Sequence, residues 1–145
     1  MSSKLPVAPE VIASQCICLG LQRAARAVAR RYDEALRPVD LSSGQFALLT
    51  SIAGLQPTGI QALADHLAMD RTTVTAALKP LVRRGLATVE VASQDLRARE
   101  VSLSADGFDL LKRATALWTR AQQDASKHFG RASPAPVLAA LRRLT

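Results

Sequence analysis

Apolar residues recur at spacings of three and four over residues 11–37, at Ile17, Leu21, Ala24, Ala25, Val28, Tyr32 and Leu36, with Arg and Gln between them. That period predicts one long amphipathic helix, ended by Pro38 and Asp40. Ser42 and Gln45 have capping-box spacing for a second helix carrying Phe46, Leu49 and Ile52, and Gly54, Pro57 and Gly59 mark the loop after it. Thr58 and Gln61 repeat that spacing, which predicts a short third helix with Ile60, Leu63, Ala64 and Leu67 on one face. After a turn through Ala68 and Met69, the Asp70 carboxylate can cap a fourth helix whose Val74, Leu78, Leu81 and Val82 face inward. Pro80 removes one backbone bond of that helix and predicts a kink, and Gly85 suits the left-handed residue that ends it. Residues 86–91 and 99–103 alternate and include β-branched types, so a hairpin with a polar tip at 92–98 follows. Ser104 opens a fifth helix bearing Phe108, Leu111, Leu117, Trp118 and Ala121. Ser133 and Pro134 start a short last helix with Val137, Leu141 and Leu144.

The predicted fold is therefore mainly α (α+β), a winged helix-turn-helix flanked by further helices. Two short helices joined by a tight turn and followed at once by a hairpin can read a duplex twice, by a helix in the major groove and by a wing in an adjacent minor groove. The first turn of the fourth helix presents Arg71, Thr72, Thr73 and Thr75, donors suited to guanine edges, phosphates and thymine methyls. The competing view has Thr72 and Thr73 only capping the helix, with Arg71 a solvated charge.

Composition narrows this further. Of 145 residues, 48% are apolar but only 3% aromatic, so the core must be aliphatic. The net charge of +7 suggests an acidic partner, yet Arg71, Lys79, Arg83, Arg84, Arg97 and Arg99 are nearly balanced by Asp65, Asp70, Glu90, Asp95 and Glu100. Much of the excess lies instead in Arg23, Arg26, Arg30, Arg31 and Arg37, and in Lys112, Arg113, Arg120, Arg142 and Arg143. No apolar run at the start suits a signal peptide or membrane span, so a cytoplasmic protein is expected. Cys16 and Cys18, two apart on a helix, point to different faces and read as free thiols. With two His and no ligand-spaced cluster, no metal or other cofactor is expected. His66 and His128 read as surface side chains, and Trp118 as packing.

The run 69–75, then Leu78, Lys79, Pro80 and Leu81, then Arg84, Gly85 and Leu86, Asp95 with Arg97, and Leu103 with Ser104 before Gly107, resembles the MarR family of transcriptional regulators. The resemblance implies a DNA-binding part at 42–103 and dimerisation helices at 11–37 and 104–145 within a single chain. It also implies a wing in which Asp95 orients Arg97 for the minor groove, with Lys79 and Arg99 on the same DNA-facing surface. The run departs from that pattern at Ala76 and Ala77, where similar sequences often carry Arg and Asn, leaving fewer base contacts. A homodimer is implied, with half-sites of a near-palindromic double-stranded operator roughly 10 base pairs apart. A small-molecule effector that releases a repressor is expected as well. Cys18 with Tyr32 resembles the first helix of the organic-hydroperoxide-sensing members, whereas buried thiols at a dimer seam are the plainer expectation. A winged-helix protein-interaction module remains an alternative. An enzyme is disfavoured, since there is no phosphate loop, nucleophile elbow or base partner for the thiol.

Overall fold

The computed structural model describes residues 5–129 and 133–145. Two N-terminal helices, α1 (Pro9–Gln15) and α2 (Ile17–Leu36), are followed by a turn of 3-10 helix at Arg37–Val39 and by α3 (Ser43–Leu55). Strand β1 (Thr58–Gly59) precedes α4 (Ile60–His66) and α5 (Arg71–Arg83); the wing is β2 (Ala87–Val91) and β3 (Arg99–Leu103); α6 (Ala105–Lys127) and α7 (Pro134–Leu141) complete the chain. The three strands form an antiparallel sheet in the order β1-β3-β2, with Thr58 opposite Val101 and Val89 opposite Val101 on the other side. The winged helix-turn-helix architecture expected from the pattern is thus present. No helix among the described residues is long and apolar enough to cross a membrane.

Local chemistry accounts for most boundaries. Ser42 and Gln45 form the reciprocal capping box at α3, satisfying two backbone donors at once. At the end of α5, Gly85 takes φ +70°, while the Gly85 amide donates to Val82 and the Leu86 amide donates to Leu81. That pair of bonds is a Schellman termination, and its partners Leu81 and Leu86 both lie in the core. Pro80 sits inside α5, which runs on for one further turn before this cap. The core is aliphatic, as composition requires: Leu36, Leu49, Ile52, Leu63, Val74, Leu81 and Val101 are all fully buried, each contributing roughly 2 kcal/mol of transfer free energy.

Four expectations need correction. The first helix is not continuous: Cys16, with ψ at 109°, ends α1 and begins α2, its thiol accepting the Leu19 amide at 3.4 Å. Cysteine is a weak cap and neither Pro nor Gly marks the break, so periodicity ran through it. Thr58 does not cap α4; it is buried in β1 against β3, and α4 starts at Ile60 after Gly59, which offers no side-chain cap. Val82 points outward, because Val74, Leu78 and Leu81 already complete the buried stripe and Val82 lies about 100° beyond Leu81. Phe108 is likewise exposed, with the Lys112 ammonium over its ring, and the buried face of α6 is Gly107, Leu110, Ala114, Ala121 and Ala125.

Gly107 marks the tightest joint. A Cβ there would lie 1.9 Å from the Leu86 carbonyl oxygen and 2.8 Å from its carbon, both backbone atoms. Gly107→Ala is expected to lower stability by about 1–3 kcal/mol or more, since helix and strand must separate. Gly54→Ala, with open space around the new methyl, should instead be neutral or slightly stabilising. Urea unfolding of the two variants checks the contrast.

Candidate nucleic-acid interface

The exposed face of α5 carries Arg71, Thr72, Thr75 and Lys79, opposite the buried Val74, Leu78 and Leu81. The spacing of four between Arg71, Thr75 and Lys79 sets them in one row along that face. Arg71 and Thr72 make no side-chain hydrogen bond among the described residues, so their donors face solvent. Thr75 gives its hydroxyl proton to the Arg71 carbonyl at 2.8 Å, which leaves its methyl and lone pairs outward. Thr73 is different. Its amide and its hydroxyl both donate to the Asp70 carboxylate, at 2.8 and 2.7 Å, so Thr73 completes the cap. The capping view therefore holds for Thr73, while Arg71, Thr72, Thr75 and Lys79 stay available.

The wing continues this surface. Thr75, Lys79, Val82 and Arg83 share a hollow of about 330 Å³ with Val89 of β2, so the outer face of α5 adjoins the hairpin directly. At the tip the Asp95 carboxylate accepts the Arg97 backbone amide at 2.9 Å, and the Asp95 carbonyl accepts the Ala98 amide at 2.9 Å. Asp95 therefore orients Arg97 by fixing its backbone, and the two side chains form no ion pair. The Arg97 guanidinium is exposed and unpartnered among the described residues. Arg99 folds back instead, donating to the Leu96 and Ala98 carbonyls at 3.3 Å each, which braces the tip. Two further residues belong here, of which pattern analysis passed over Leu96 and gave Arg84 no contact. Leu96, 81% exposed, caps the tip beside Arg97; its apolar side chain sits in a stretch that reads as polar. Arg84 donates to the Asp40 carbonyl at 2.7 Å, tying the end of α5 to the corner after α2.

The redox candidates do not converge within the protomer. Cys18 is exposed and accepts a hydrogen bond from the Gln22 amide at 3.4 Å. Tyr32 lies fourteen residues further along α2, roughly 21 Å away by helical rise, and donates its hydroxyl to Gln122. Burial raises the Tyr32 pKa. Cys16 is half-buried as a helix cap and Cys18 is open to solvent, so neither is a buried thiol in the single protomer. His66 is exposed. His128 is also exposed, but bonds Arg31. Trp118 stacks on Phe46 with ring centroids 6.4 Å apart, a packing role.

Comparison with known proteins resolves the family. Residues 41–98 match the model of the MarR family. The M. tuberculosis transcriptional regulator MosR, solved in complex with DNA, is 30% identical, with a TM-score of 0.80 over 90% of this chain and 93% of MosR. This chain belongs to the MarR family. A mutant of E. coli MarR complexed with operator DNA, 23% identical and covering 92% of this chain and 97% of that one, shares the fold with a TM-score of 0.81. Among curated relatives, an uncharacterized HTH-type transcriptional regulator of Staphylococcus aureus (strain Mu50) is 33% identical over 67 residues, 46% of each chain. The match thus spans about half the length of such relatives. The MarR-family stretch at 41–98 contains the whole of α5 and the wing tip, the two places where exposed donors gather.

Asp70 gives this surface a pH dependence. Its pKa is lowered by the hydrogen bonds from the Thr73 side chain and backbone. A depressed folded-state pKa means the cap's contribution is complete above the ordinary aspartate range and is lost as pH falls through the folded value. Amide exchange protection at Thr73 is expected to drop on that acid side, once corrected for intrinsic exchange, and Asp70→Asn, which has no carboxyl to titrate, should abolish the drop.

Proposed function

We propose that this MarR-family protein is a sequence-specific double-stranded-DNA-binding transcriptional regulator, a repressor released by a small-molecule effector. The observation that carries the reading is the continuous exposed surface from Arg71, Thr72, Thr75 and Lys79 to the fixed tip bearing Arg97. Residues 42–103 act as the DNA-binding part; α5 enters the major groove and Arg97 reaches the minor groove or the adjacent phosphates. Thr73, Asp95 and Arg99 hold the geometry from behind. That MosR and the E. coli MarR mutant were solved with DNA supports the partner assigned here.

Residues 11–37 and 104–145 form the dimerisation helices in this reading. Neither α1 nor α7 buries a single residue within the protomer, although both carry apolar side chains. Leu21, Val28 and Tyr32 of α2, with Phe129 after α6 and Leu138 and Leu141 of α7, line an apolar groove of about 560 Å³. A second copy covers this face, making the interface isologous and setting two α5 helices on one side of the duplex. Effector binding releases DNA by favouring a dimer whose α5 helices no longer match the half-site spacing.

In fluorescence anisotropy on the DNA upstream of its own gene, Arg97→Ala is expected to weaken binding and flatten the salt slope by about one unit per lost phosphate contact. Asp95→Ala should weaken binding in the same direction while leaving the guanidinium in place. Salt-insensitive binding no tighter than to random duplex at every upstream site would sink the DNA reading in favour of a protein-interaction module.

Sedimentation equilibrium should give twice the chain mass. Leu138→Asp, at a position 42% exposed in the protomer, is expected to yield folded monomer and to cost DNA affinity. A wild-type monomer, or a dimer indifferent to Leu138→Asp, would overturn this interface.

A further inference from the structure

Of the chain's net charge of +7, α2 carries four arginines against two carboxylates and α6 four cations against three, a surplus of +3 away from the surface assigned to DNA. Part of it converges on a cleft of about 610 Å³ between the two helices, a volume within the usual range for a small-molecule site. Four alanines, Ala27 and Ala35 of α2 and Ala121 and Ala125 of α6, form its sides and floor, so the helices leave a trough instead of interdigitating. Arg30 and Arg31 approach from α2 and Arg120 from α6.

Two carboxylates also line the cleft, and each is paired with a cation three residues further along the chain. Glu34 pairs with Arg37, and Asp124 pairs with Lys127 at 2.7 Å. No carboxylate among the described residues pairs with Arg30, Arg31 or Arg120. Arg31 is also held in place: its guanidinium lies 2.7 Å from His128 Nε2 across the helix pair. An anion in the cleft would find one guanidinium already aimed from α2 toward α6 and a second, Arg120, on the far wall. Planar forks of this kind bind phosphate or carboxylate oxygens in pairs.

We propose that this cleft is a binding site for a small organic polyanion, a phosphate ester or a dicarboxylate, bridged between Arg30 and Arg31 of α2 and Arg120 of α6. On the regulator reading above, on which its biological role but not its existence rests, the site is an effector site. A ligand spanning α2 and α6 fixes the relative placement of two dimerisation helices, and α2 leads directly into the corner that Arg84 ties to the end of α5.

The test needs no DNA and so stands apart from the regulator reading. Thermal unfolding of wild type, Arg120→Gln and Arg113→Gln would be followed against pyrophosphate and malonate, with sodium chloride matched in ionic strength. Arg113 is exposed on α6 but outside the cleft, so its variant removes the same charge. A saturable rise in Tm is expected for wild type and Arg113→Gln with at least one anion. In Arg120→Gln the half-saturating concentration should rise at least tenfold. Response to pyrophosphate alone would assign a phosphate ester, and to malonate a dicarboxylate. A rise matched by sodium chloride, a rise equal in Arg120→Gln, or no rise with either anion would overturn the site.

Discussion

The backbone of Leu86 is the joint on which the rest depends. Its amide closes the end of α5 on Leu81, and its carbonyl accepts the Ser104 amide at 3.1 Å where β3 gives way to α6. Ser104 in turn donates its hydroxyl to the Gly85 carbonyl at 2.5 Å and accepts the Gly107 amide at 3.0 Å as the cap of α6. Gly107 lies so close to the Leu86 carbonyl that no side chain fits between them. One residue therefore fixes the end of α5, the start of the wing and the first turn of α6. Without this contact α5 and the wing would have no common frame, and their exposed donors would not form one surface.

A second set of bonds runs along the other side of α5. Asp33 accepts the Ser43 amide at 2.6 Å, a bond that lowers its pKa, and joins α2 to the start of α3. Arg84 reaches from the end of α5 to Asp40 in the same corner. Exposed ion pairs contribute little to stability, so the importance of Arg84 lies in direction. A short polar link thus joins the corner after α2 to the end of α5. The helices that carry the apolar groove and the cationic cleft are thus mechanically close to the helix that carries the donors.

Much of the interface was legible because its determinants are local. Asp70 and Thr73, Ser42 and Gln45, and Ser104 and Gly107 each act across three residues. Gly85 announces its own positive φ. The wing strands alternate as strands should, and Asp95 and Arg97 meet through an adjacent amide. Where an apparent local signal failed, a distant partner had outcompeted it. Thr58 has capping-box spacing, yet the edge of β3 claimed its backbone, so a helix cap became a third strand. Cys16 carries no break signal, yet α1 turns away there.

The sequence by itself determined the order of elements, the aliphatic core and the residues that α5 and the wing tip offer to solvent, because caps, periodicity and turn residues operate over one helical turn or one strand pair. Only the tertiary structure decided that Gly107 is indispensable and that Arg99 braces the tip while Arg97 is free. It likewise decided that Arg31 crosses to His128, 97 positions away in the chain. Such contacts depend on the angle and distance at which α2, α6 and the wing meet, and those are set by how whole faces pack, which no short stretch of sequence encodes.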